Sequence, residues 1–193
     1  MDLSAGVAAL KKGKLVVYPT DTLYALGADV YNEEAVEKIF VLKHRPQSQP
    51  LPVAVSSLEE MEHLAYVDHS ARRLVERFLP GPLTLVLRKK TPGLTMVTGG
   101  RKTIAIRIPD NEVALELLAC VGPLTVTSAN RHGEHPLLSV EDIRKQFQAE
   151  DVAVYLDCGR LEGKPSTIVD VTSGNPQVLR QGIITPEEIE DVI

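Results

Sequence analysis

Apolar residues follow two different spacings along this chain, and each spacing predicts a different kind of element. Short apolar runs rich in β-branched residues, such as residues 15–18 and 104–108, are typical of buried strands. In residues 33–43 the apolar positions recur every three or four residues behind Asn32, which predicts an amphipathic helix with an N-terminal cap. The two patterns alternate from end to end, so the sequence predicts an α/β fold.

The last segments indicate how the strands pair. Residues 167–171 and 177–179 are strand-like and are separated by the turn-forming sequence Ser173-Gly174-Asn175. A hairpin at this point argues against an all-parallel sheet and favours a mixed one. Residues 91–102 carry Pro, Gly, Arg and Lys without an apolar period, which predicts a mobile loop. The 193 residues contain no linker or repeat, and we expect one domain over residues 1–193.

Composition disfavours several classes of function. The net charge is −5, aromatic residues make up 4%, and Trp is absent. The chain as a whole therefore lacks the basic footprint and the aromatic content of a general RNA-binding protein. No apolar run approaches the roughly 20 residues of a membrane span, and no signal-peptide pattern is present, so we expect a cytoplasmic protein with no membrane contact. Cys120 and Cys158 lack metal-ligand spacing and are predicted to be buried, reduced thiols.

Polar residues gather where two predicted strands end. Pro19-Thr20-Asp21-Thr22 follows the apolar run at residues 15–18, and Ser128-Ala129-Asn130 follows residues 124–127. Open α/β sheets place their ligand sites at such strand ends, and we expect one here. The alternative for each hydroxyl is a turn or a helix cap, which is the commoner use of such residues.

Two groups of cations are candidates for binding anions. Lys43 and Arg45 lie at the predicted C-terminal end of a helix, where we expect the Lys43 ammonium to be solvated. They either bind phosphates or interact with the helix dipole. Arg107 lies inside an apolar strand, where a charge is costly unless it is paired. It forms either an internal salt bridge or a bidentate contact with a substrate carboxylate.

Several catalytic motifs are absent from the sequence. It contains no Walker A loop, no Gly-x-Gly-x-x-Gly after a strand, no serine in a nucleophile elbow and no His-rich or Cys-rich metal set. A covalent intermediate and a protein-held metal are therefore not indicated. Cations and hydroxyls at strand ends suit the binding and polarisation of phosphates and carboxylates.

A set of short motifs resembles the YrdC/TsaC family, the threonylcarbamoyl-AMP synthases. The motifs keep the family's order over nearly the whole chain: residues 19–27 (Pro-Thr-Asp-Thr-Leu-Tyr-Ala-Leu-Gly), 43–46 (Lys-His-Arg-Pro), 80–84 (Pro-Gly-Pro-Leu-Thr), 104–107 (Ile-Ala-Ile-Arg), 128–130 (Ser-Ala-Asn), 166–170 (Ser-Thr-Ile-Val-Asp) and 179–182 (Leu-Arg-Gln-Gly). The resemblance implies a twisted mixed β-sheet flanked by helices with a concave ligand cavity.

The same resemblance implies an activity and its partners. The family condenses L-threonine, bicarbonate or CO2, and ATP to threonylcarbamoyl-AMP and pyrophosphate, with Mg2+ bound to ATP. The product serves N6-threonylcarbamoyladenosine synthesis in tRNA by a threonylcarbamoyl transferase machinery, and a weak direct contact with RNA is left open. The expected class is a nucleotidyltransferase.

The family motifs also assign residues to the two substrates. They imply that Lys43 and Arg45 are the catalytic pair, which clamps the nucleotide phosphates. The remaining contacts implied for ATP are Thr103, Ser128, Asn130 and Arg180. The contacts implied for threonine are Thr20, Arg107, Thr125 and Ser166, and no metal ligand is implied.

Three positions depart from the family pattern, and two other functions stay open. Asp21 replaces a Glu, Ala25 replaces a Gly, and Gln49 stands where a Lys usually precedes Pro-Leu. The chain resembles the short form of the family, without its C-terminal domain. One alternative is an RNA-binding or ribosome-maturation module that uses the same concave surface. The other is a carbamoyl-adenylate-forming domain of the hydrogenase-maturation type.

Overall fold

A computed structural model describes residues 2–147, 152–173 and 175–193, and in these residues eleven strands form two sheets. The first sheet has the order β8–β2–β1–β9, and the second has the order β11–β10–β5–β6–β3–β7 with β4 paired to β5. The strands are β1 (Val16–Tyr18), β2 (Ala25–Gly27), β3 (Val53–Ala54), β4 (Ala65–Tyr66), β5 (Leu83–Lys89), β6 (Thr103–Arg107), β7 (Leu124–Thr125), β8 (Thr127–Ser128), β9 (Val154–Tyr155), β10 (Thr167–Asp170) and β11 (Gln177–Arg180).

Eight helices are described with these strands, and several begin at the predicted caps. Asn32 caps the second helix and Ser57 the third, each accepting a hydrogen bond from a backbone N–H of the first turn. The helices are α1 (Leu3–Lys11), α2 (Glu33–Lys43), α3 (Leu58–Leu64), α4 (His69–Phe78), α5 (Thr95–Thr98), α6 (Glu112–Val121), α7 (Val140–Gln146) and α8 (Pro186–Glu190). The predicted mixed α/β architecture is confirmed, with its strands divided between two sheets.

Strand β5 organises the larger sheet, and it pairs over four residues with β6 on one side and over four residues with β10 on the other. Strands β5 and β6 are antiparallel, with Leu85 opposite Ile106 at one end and Arg88 opposite Thr103 at the other. On its other side β5 runs parallel to β10, and β10 pairs with β11 in the predicted hairpin. Gly174 of the predicted turn lies outside the described residues. Parallel and antiparallel pairs in one sheet agree with the mixed pairing expected from the sequence.

Burial of apolar side chains holds the helices on the sheets. The stripe of α2 places Ala35, Val36, Ile39 and Phe40 in the core, each at most 2% exposed. At its C-terminal end His44 adopts the left-handed conformation with φ of 52°, which turns the chain sharply. The fold thus brings residues 43–45 back towards the sheet instead of letting the helix end in solvent.

Two local predictions were wrong. Residues 91–102 are not simply a loop, because they contain α5, where Val97 is buried and accepts a hydrogen bond from the Leu51 backbone N–H at 2.8 Å. Cys120 and Cys158 are exposed free cysteines rather than buried ones. In each case burial depends on whether the residue makes a tertiary contact. Local composition does not reveal such contacts. Within the described residues, no helix has the length and apolar character needed to cross a membrane.

Candidate active site

A cavity of about 300 Å³ lies where the ends of β1, β6, β8 and β11 meet the start of β10. Its charged side chains are three arginines: Arg45, Arg107 and Arg180. Hydroxyl groups make up most of the other polar lining: Thr20, Thr22, Thr84, Thr127, Ser128 and Ser166. No Asp or Glu is among the described residues that line it. Positive charge without a lining acid makes the cavity a receptor for anions.

Arg107 ends β6 and is only 3% exposed. One terminal nitrogen, Nη1, donates to Thr22 Oγ1 at 2.9 Å, while Nη2 donates to Asp21 Oδ1 at 2.6 Å and to the Gly81 carbonyl at 3.0 Å. Burial lowers the pKa of this guanidinium, and the Asp21 carboxylate opposes that shift. The internal salt bridge expected as one alternative is therefore present, and Arg107 also faces the cavity.

One donor and one acceptor of this pair have no partner. Arg107 Nε and Asp21 Oδ2 are buried without a hydrogen bond in the described structure. A buried unsatisfied group usually costs free energy. Arg107 belongs to the cavity wall and Asp21 does not, so the unpaired nitrogen of Arg107 is the one that indicates a place for a ligand or water. Arg107 therefore retains a donor while its other groups are held rigidly.

A second polar group surrounds Ser166, which lies just before β10. Its hydroxyl lies 2.9 Å from Thr84 Oγ1, and Arg180 Nη2 donates to the Ser166 carbonyl at 2.8 Å and to its hydroxyl at 3.2 Å. Burial lowers the pKa of Arg180, and the positive charge of Arg107 lowers it further. The two arginines repel each other across this part of the cavity, which a bound anion would relieve.

Arg45 forms a different wall. Its Nη2 donates to the Pro50 carbonyl at 2.9 Å, its Nε donates to the Gln49 carbonyl at 3.2 Å, and its Nη1 lies 3.3 Å from His132 Nδ1. Burial lowers the pKa of this guanidinium as well. Backbone carbonyls fix the side chain without neutralising it, so its charge stays available to a ligand in the cavity.

Lys43 lies behind this wall rather than in it. It is 2% exposed, and its ammonium donates to the backbone carbonyls of Ser128 and Asn130. Burial, with the nearby positive charge of Arg45 as a second cause, lowers the pKa of Lys43 to about 7. The prediction that this ammonium is solvated was wrong, because residues 128–132 fold over the end of α2.

The hydroxyls after β1 are used differently from one another. Thr20 Oγ1 accepts from the backbone N–H of Thr22 and of Leu23 and donates to the Leu23 carbonyl at 2.7 Å, so it builds the turn itself. Thr22 Oγ1 lies 2.9 Å from Thr20 Oγ1 and accepts from Arg107. Thr20 therefore forms a turn, as one of its two alternatives predicted. Thr22 connects that turn to the buried Arg107.

Besides Lys43, three of the residues implied by the family motifs are not among those that line the cavity: Thr103, Thr125 and Asn130. Thr125 is fully buried, and its hydroxyl accepts from the Ala28 backbone N–H and donates to the Leu26 carbonyl, both at 3.0 Å. Thr103 begins β6, four residues from Arg107, which corresponds to about 14 Å along a strand. Asn130 donates to the carbonyls of Arg131 and Glu134, and its buried Oδ1 has no partner in the described structure.

The structure adds lining residues that the motif reading did not single out as site residues. Thr84 is 2% exposed and contacts Ser166. Its hydroxyl stands in the otherwise apolar run of β5, and this could have identified Thr84 as a candidate from the sequence. Thr22 was visible as a polar residue at a strand end. Tyr24 lines the cavity and donates to the Gly159 carbonyl at 2.7 Å, a contact between residues 135 positions apart that no local pattern reveals.

The cavity has no set of protein ligands for a metal ion. Within the described part of the chain, no group of three or more His, Cys, Asp or Glu side chains is arranged to hold one. Hard divalent cations such as Mg2+ take oxygen ligands, and the available lining oxygens are hydroxyls and carbonyls.

Comparison with known proteins places these features in a family. The sequence profile of the Sua5/YciO/YrdC family, described as telomere recombination, matches residues 8–182. A threonylcarbamoyl-AMP synthase from Vibrio vulnificus is 34% identical over 94% of this chain and 98% of its own length. The threonylcarbamoyl-AMP synthase of Pyrococcus abyssi is 40% identical over 95% of this chain.

A solved structure gives the same result for the fold. The crystal structure of P. abyssi Sua5 complexed with L-threonine is 38% identical, superposes with a TM-score of 0.94 and covers 99% of this chain. The present chain spans 57% of that protein and 55% of the P. abyssi synthase sequence. The match therefore concerns about half of the archaeal protein and nearly all of the bacterial one.

Proposed function

The chain belongs to the Sua5/YciO/YrdC family, and from this premise we propose that its cavity makes threonylcarbamoyl-AMP from L-threonine, bicarbonate or CO2, and ATP. The supporting observation is the set of three arginines without a lining acid. Both substrates are anionic at the atoms that must meet, namely a carbamate and a triphosphate. Cations placed around that meeting point reduce their repulsion.

The proposed reaction balances in two steps. The threonine amine and bicarbonate form a carbamate with loss of water. A carbamate oxygen then attacks the α-phosphorus of ATP, a new O–P bond forms, the bond from the α-phosphorus to the bridging oxygen breaks, and pyrophosphate leaves with the electron pair. The step is a nucleotidyl transfer, because the adenylyl group moves from pyrophosphate to the carbamate oxygen.

Alignment supplies the catalysis in this scheme. No nucleophilic side chain lines the described cavity in an activated arrangement, and none is required when two bound reactants are held in line. The carbamate is unstable in water, so partial enclosure by the lining protects it. None of the described lining residues is a carboxylate that would hold Mg2+, so Mg2+ would come bound to ATP and would neutralise phosphate charge there.

The roles of individual residues follow their positions. We assign the threonine carboxylate to the free donor of Arg107, with Ser166 beside it, and the phosphates to Arg45 and Arg180. Ser128 lines the cavity, and we assign it to the nucleotide. Lys43 acts indirectly, because its ammonium holds the Ser128 and Asn130 carbonyls in place.

Four family-derived assignments remain, and in three of them the hydroxyl or amide group already forms hydrogen bonds within the protein: Thr20, Thr125 and Asn130. Thr20 shapes the turn that presents Thr22 to Arg107, and Thr125 ties β7 to β2. Asn130 fixes the loop after β8. Thr103 has no such contact with the cavity, and its assignment to ATP rests on the family motif alone. In the proposed function the first three act by positioning the lining.

The product then serves tRNA modification by a partner transferase. Threonylcarbamoyl-AMP is a mixed anhydride, and its acyl group is ready for transfer to an amine. The alternative of an RNA-binding module on the concave surface is disfavoured, because the cavity is small and the chain carries a net charge of −5.

Pyrophosphate release tests the proposal directly. We expect purified protein with Mg2+-ATP to release pyrophosphate only when both L-threonine and bicarbonate are present. Arg45→Ala should reduce the rate by about 10-fold or more, the scale of one charge-assisted contact. Arg101→Ala, an exposed arginine outside the cavity, is the matched control. ATP cleavage that is equal without threonine would refute the synthase assignment.

A further inference from the structure

A second polar surface lies at the opposite end of the β5–β6 ladder from the cavity. Residues 88–102 contain five cations and no Asp or Glu, in a chain whose net charge is −5. Four of the five side chains are exposed and the fifth, Lys89, is partly so. We call this set the basic end: Arg88, Lys89, Lys90, Arg101 and Lys102.

The fold brings the two halves of the basic end together. Arg88 lies opposite Thr103 in the β5–β6 ladder, and the Lys89 backbone N–H donates to the Lys102 carbonyl at 2.8 Å. Arg101 and Lys102 therefore lie beside Arg88 and Lys89 although α5 intervenes in the chain. None of the five cations forms a salt bridge with another of the described residues. Unpaired positive charges at this density attract a polyanion.

An aromatic side chain lies within the same surface. Tyr66 of β4 is directly opposite Arg88 of β5, so the two side chains share a face of the sheet. Tyr66 is 60% exposed, and the Lys90 ammonium lies 5.9 Å from its ring centroid. A ring that is open to solvent and flanked by two cations offers a stacking surface next to phosphate-binding groups.

A groove of about 530 Å³ borders this ring. Its lining includes Tyr66, Leu87, Arg88 and Thr172, with Arg88 Nη2 donating to the Thr172 carbonyl at 2.8 Å. Asp68 also lines it, and its carboxylate caps α4 by accepting from the Ala71 N–H. The groove thus offers one cation, Arg88, one ring, Tyr66, and one acceptor, Asp68, which suit the phosphate, the base plane and an exocyclic amine of a nucleotide.

We propose that the basic end, together with Tyr66, binds single-stranded RNA at a site separate from the cavity. The chain-wide charge and low aromatic content disfavour a general RNA-binding protein, but here the needed groups are gathered at one end of the sheet. A lipid surface fits less well, because Tyr66 is the only large exposed apolar side chain among the residues of the basic end and of the groove beside Tyr66. The proposal is independent of the synthase assignment, since the two sites lie at opposite ends of β6.

Fluorescence anisotropy with a labelled 12-nucleotide single-stranded RNA tests this site. We expect binding that weakens with salt, with a slope of log affinity against log salt of up to about −3.5 for five phosphate contacts. Arg101→Gln combined with Lys102→Gln should reduce the steepness of that slope by about 1.4. Tyr66→Ala should weaken binding by about 5- to 150-fold, the range for loss of one stacked base.

The matched control is Lys11→Gln combined with Lys12→Gln, which changes the charge equally on an exposed part of α1 and its end. This control should leave RNA affinity within about twofold. Pyrophosphate release without RNA should be unchanged in the Arg101/Lys102 variant, which shows that the variant is folded. Equal loss of RNA binding in both double variants, displacement of RNA by Mg2+-ATP, or binding to anionic vesicles in place of RNA would each overturn the proposal.

Discussion

Arg107 and Lys43 are both almost completely buried, at 3% and 2% exposure, but the groups around them differ. Arg107 contacts a carboxylate, a hydroxyl and a carbonyl, whereas the hydrogen bonds described for the Lys43 ammonium go to two backbone carbonyls. A counter-charge stabilises a buried cation far more than neutral dipoles do. Arg107 therefore stays charged, while burial brings the pKa of Lys43 down to about 7.

This difference separates two ways of using a cation in a binding site. The Arg107 region is a rigid, permanently charged anchor, whose described hydrogen bonds use three of its five N–H groups and leave two for a ligand. The Lys43 region is a support whose charge changes near neutral pH and whose hydrogen bonds organise backbone atoms. Three changes test this contrast, taken from the largest expected effect to the smallest.

Removing the counter-charge of Arg107 should have the largest effect. Asp21→Ala leaves a buried guanidinium without its carboxylate, and breaking a buried pair in this way costs about 3–5 kcal/mol. We expect the free energy of unfolding, measured by urea denaturation at pH 7.5, to fall by that amount. Glu62→Ala is the control, because its salt bridge with Arg72 is substantially exposed and should contribute less than about 1 kcal/mol. Equal losses in the two variants would contradict the contrast.

The Lys43 region should make the free energy of unfolding depend on pH. In the folded protein the pKa of Lys43 is about 7, below its ordinary value of 10.5, so between pH 7 and 9 the unfolded chain binds more protons at this residue. Stability should then rise with pH over this window and fall as pH returns to 7. Relative to Lys43→Met, the wild type should gain on the order of 2 kcal/mol from pH 7 to 9.

Urea denaturation at pH 7, 8 and 9 measures this difference. Lys11→Met is the control, because Lys11 is exposed and this substitution removes the same side-chain charge. Parallel stability curves for the wild type and Lys43→Met would show that the buried ammonium does not titrate in this range.

Arg107→Lys should have a smaller and more specific effect. Lysine keeps a positive charge beside Asp21, but it lacks the planar set of donors that serves the protein and a ligand at once. Threonine affinity, measured by calorimetric titration, should fall about tenfold, or about 1.4 kcal/mol. Normal threonine affinity with a lowered melting temperature would restrict Arg107 to its internal salt bridge.

The sequence predicted the elements and the end of the sheet that holds the site. Periodicity located most strands and helices, and polar residues at strand ends indicated Thr20 and Ser128, which do line one cavity, because strand ends are local features. Arg107 was noticed as a charge inside an apolar strand, and Ser166 was assigned through the family motifs. Burial of Lys43 could not be predicted in the same way. It depends on the end of β8 and the loop that follows it, which lie 85 residues or more away in the chain and supply the Ser128 and Asn130 carbonyls.

Hydroxyl groups show the same limit. Thr20, Thr125 and Ser166 look alike in the sequence, since each lies at or beside a strand end. Their roles diverge only through their partners: the first builds a turn, the second bridges two strands, and the third meets Thr84 and Arg180 in the cavity. Residue type and spacing predict a hydrogen-bonding group, but tertiary contacts decide what that group binds.

The left-handed conformation of His44 limits where residues can be inserted into or deleted from this part of the chain. His44 separates Lys43, which lies behind the cavity lining, from Arg45, which is part of that lining. The Arg45 backbone N–H donates to the Phe40 carbonyl at 2.9 Å. An insertion or deletion of one residue at this turn would move one cation away from its carbonyls, because helix and loop fix both sides. The interval between the two cations is therefore as constrained as their identity. The same holds for residues 46–50, because the Gln49 and Pro50 carbonyls hold the Arg45 side chain.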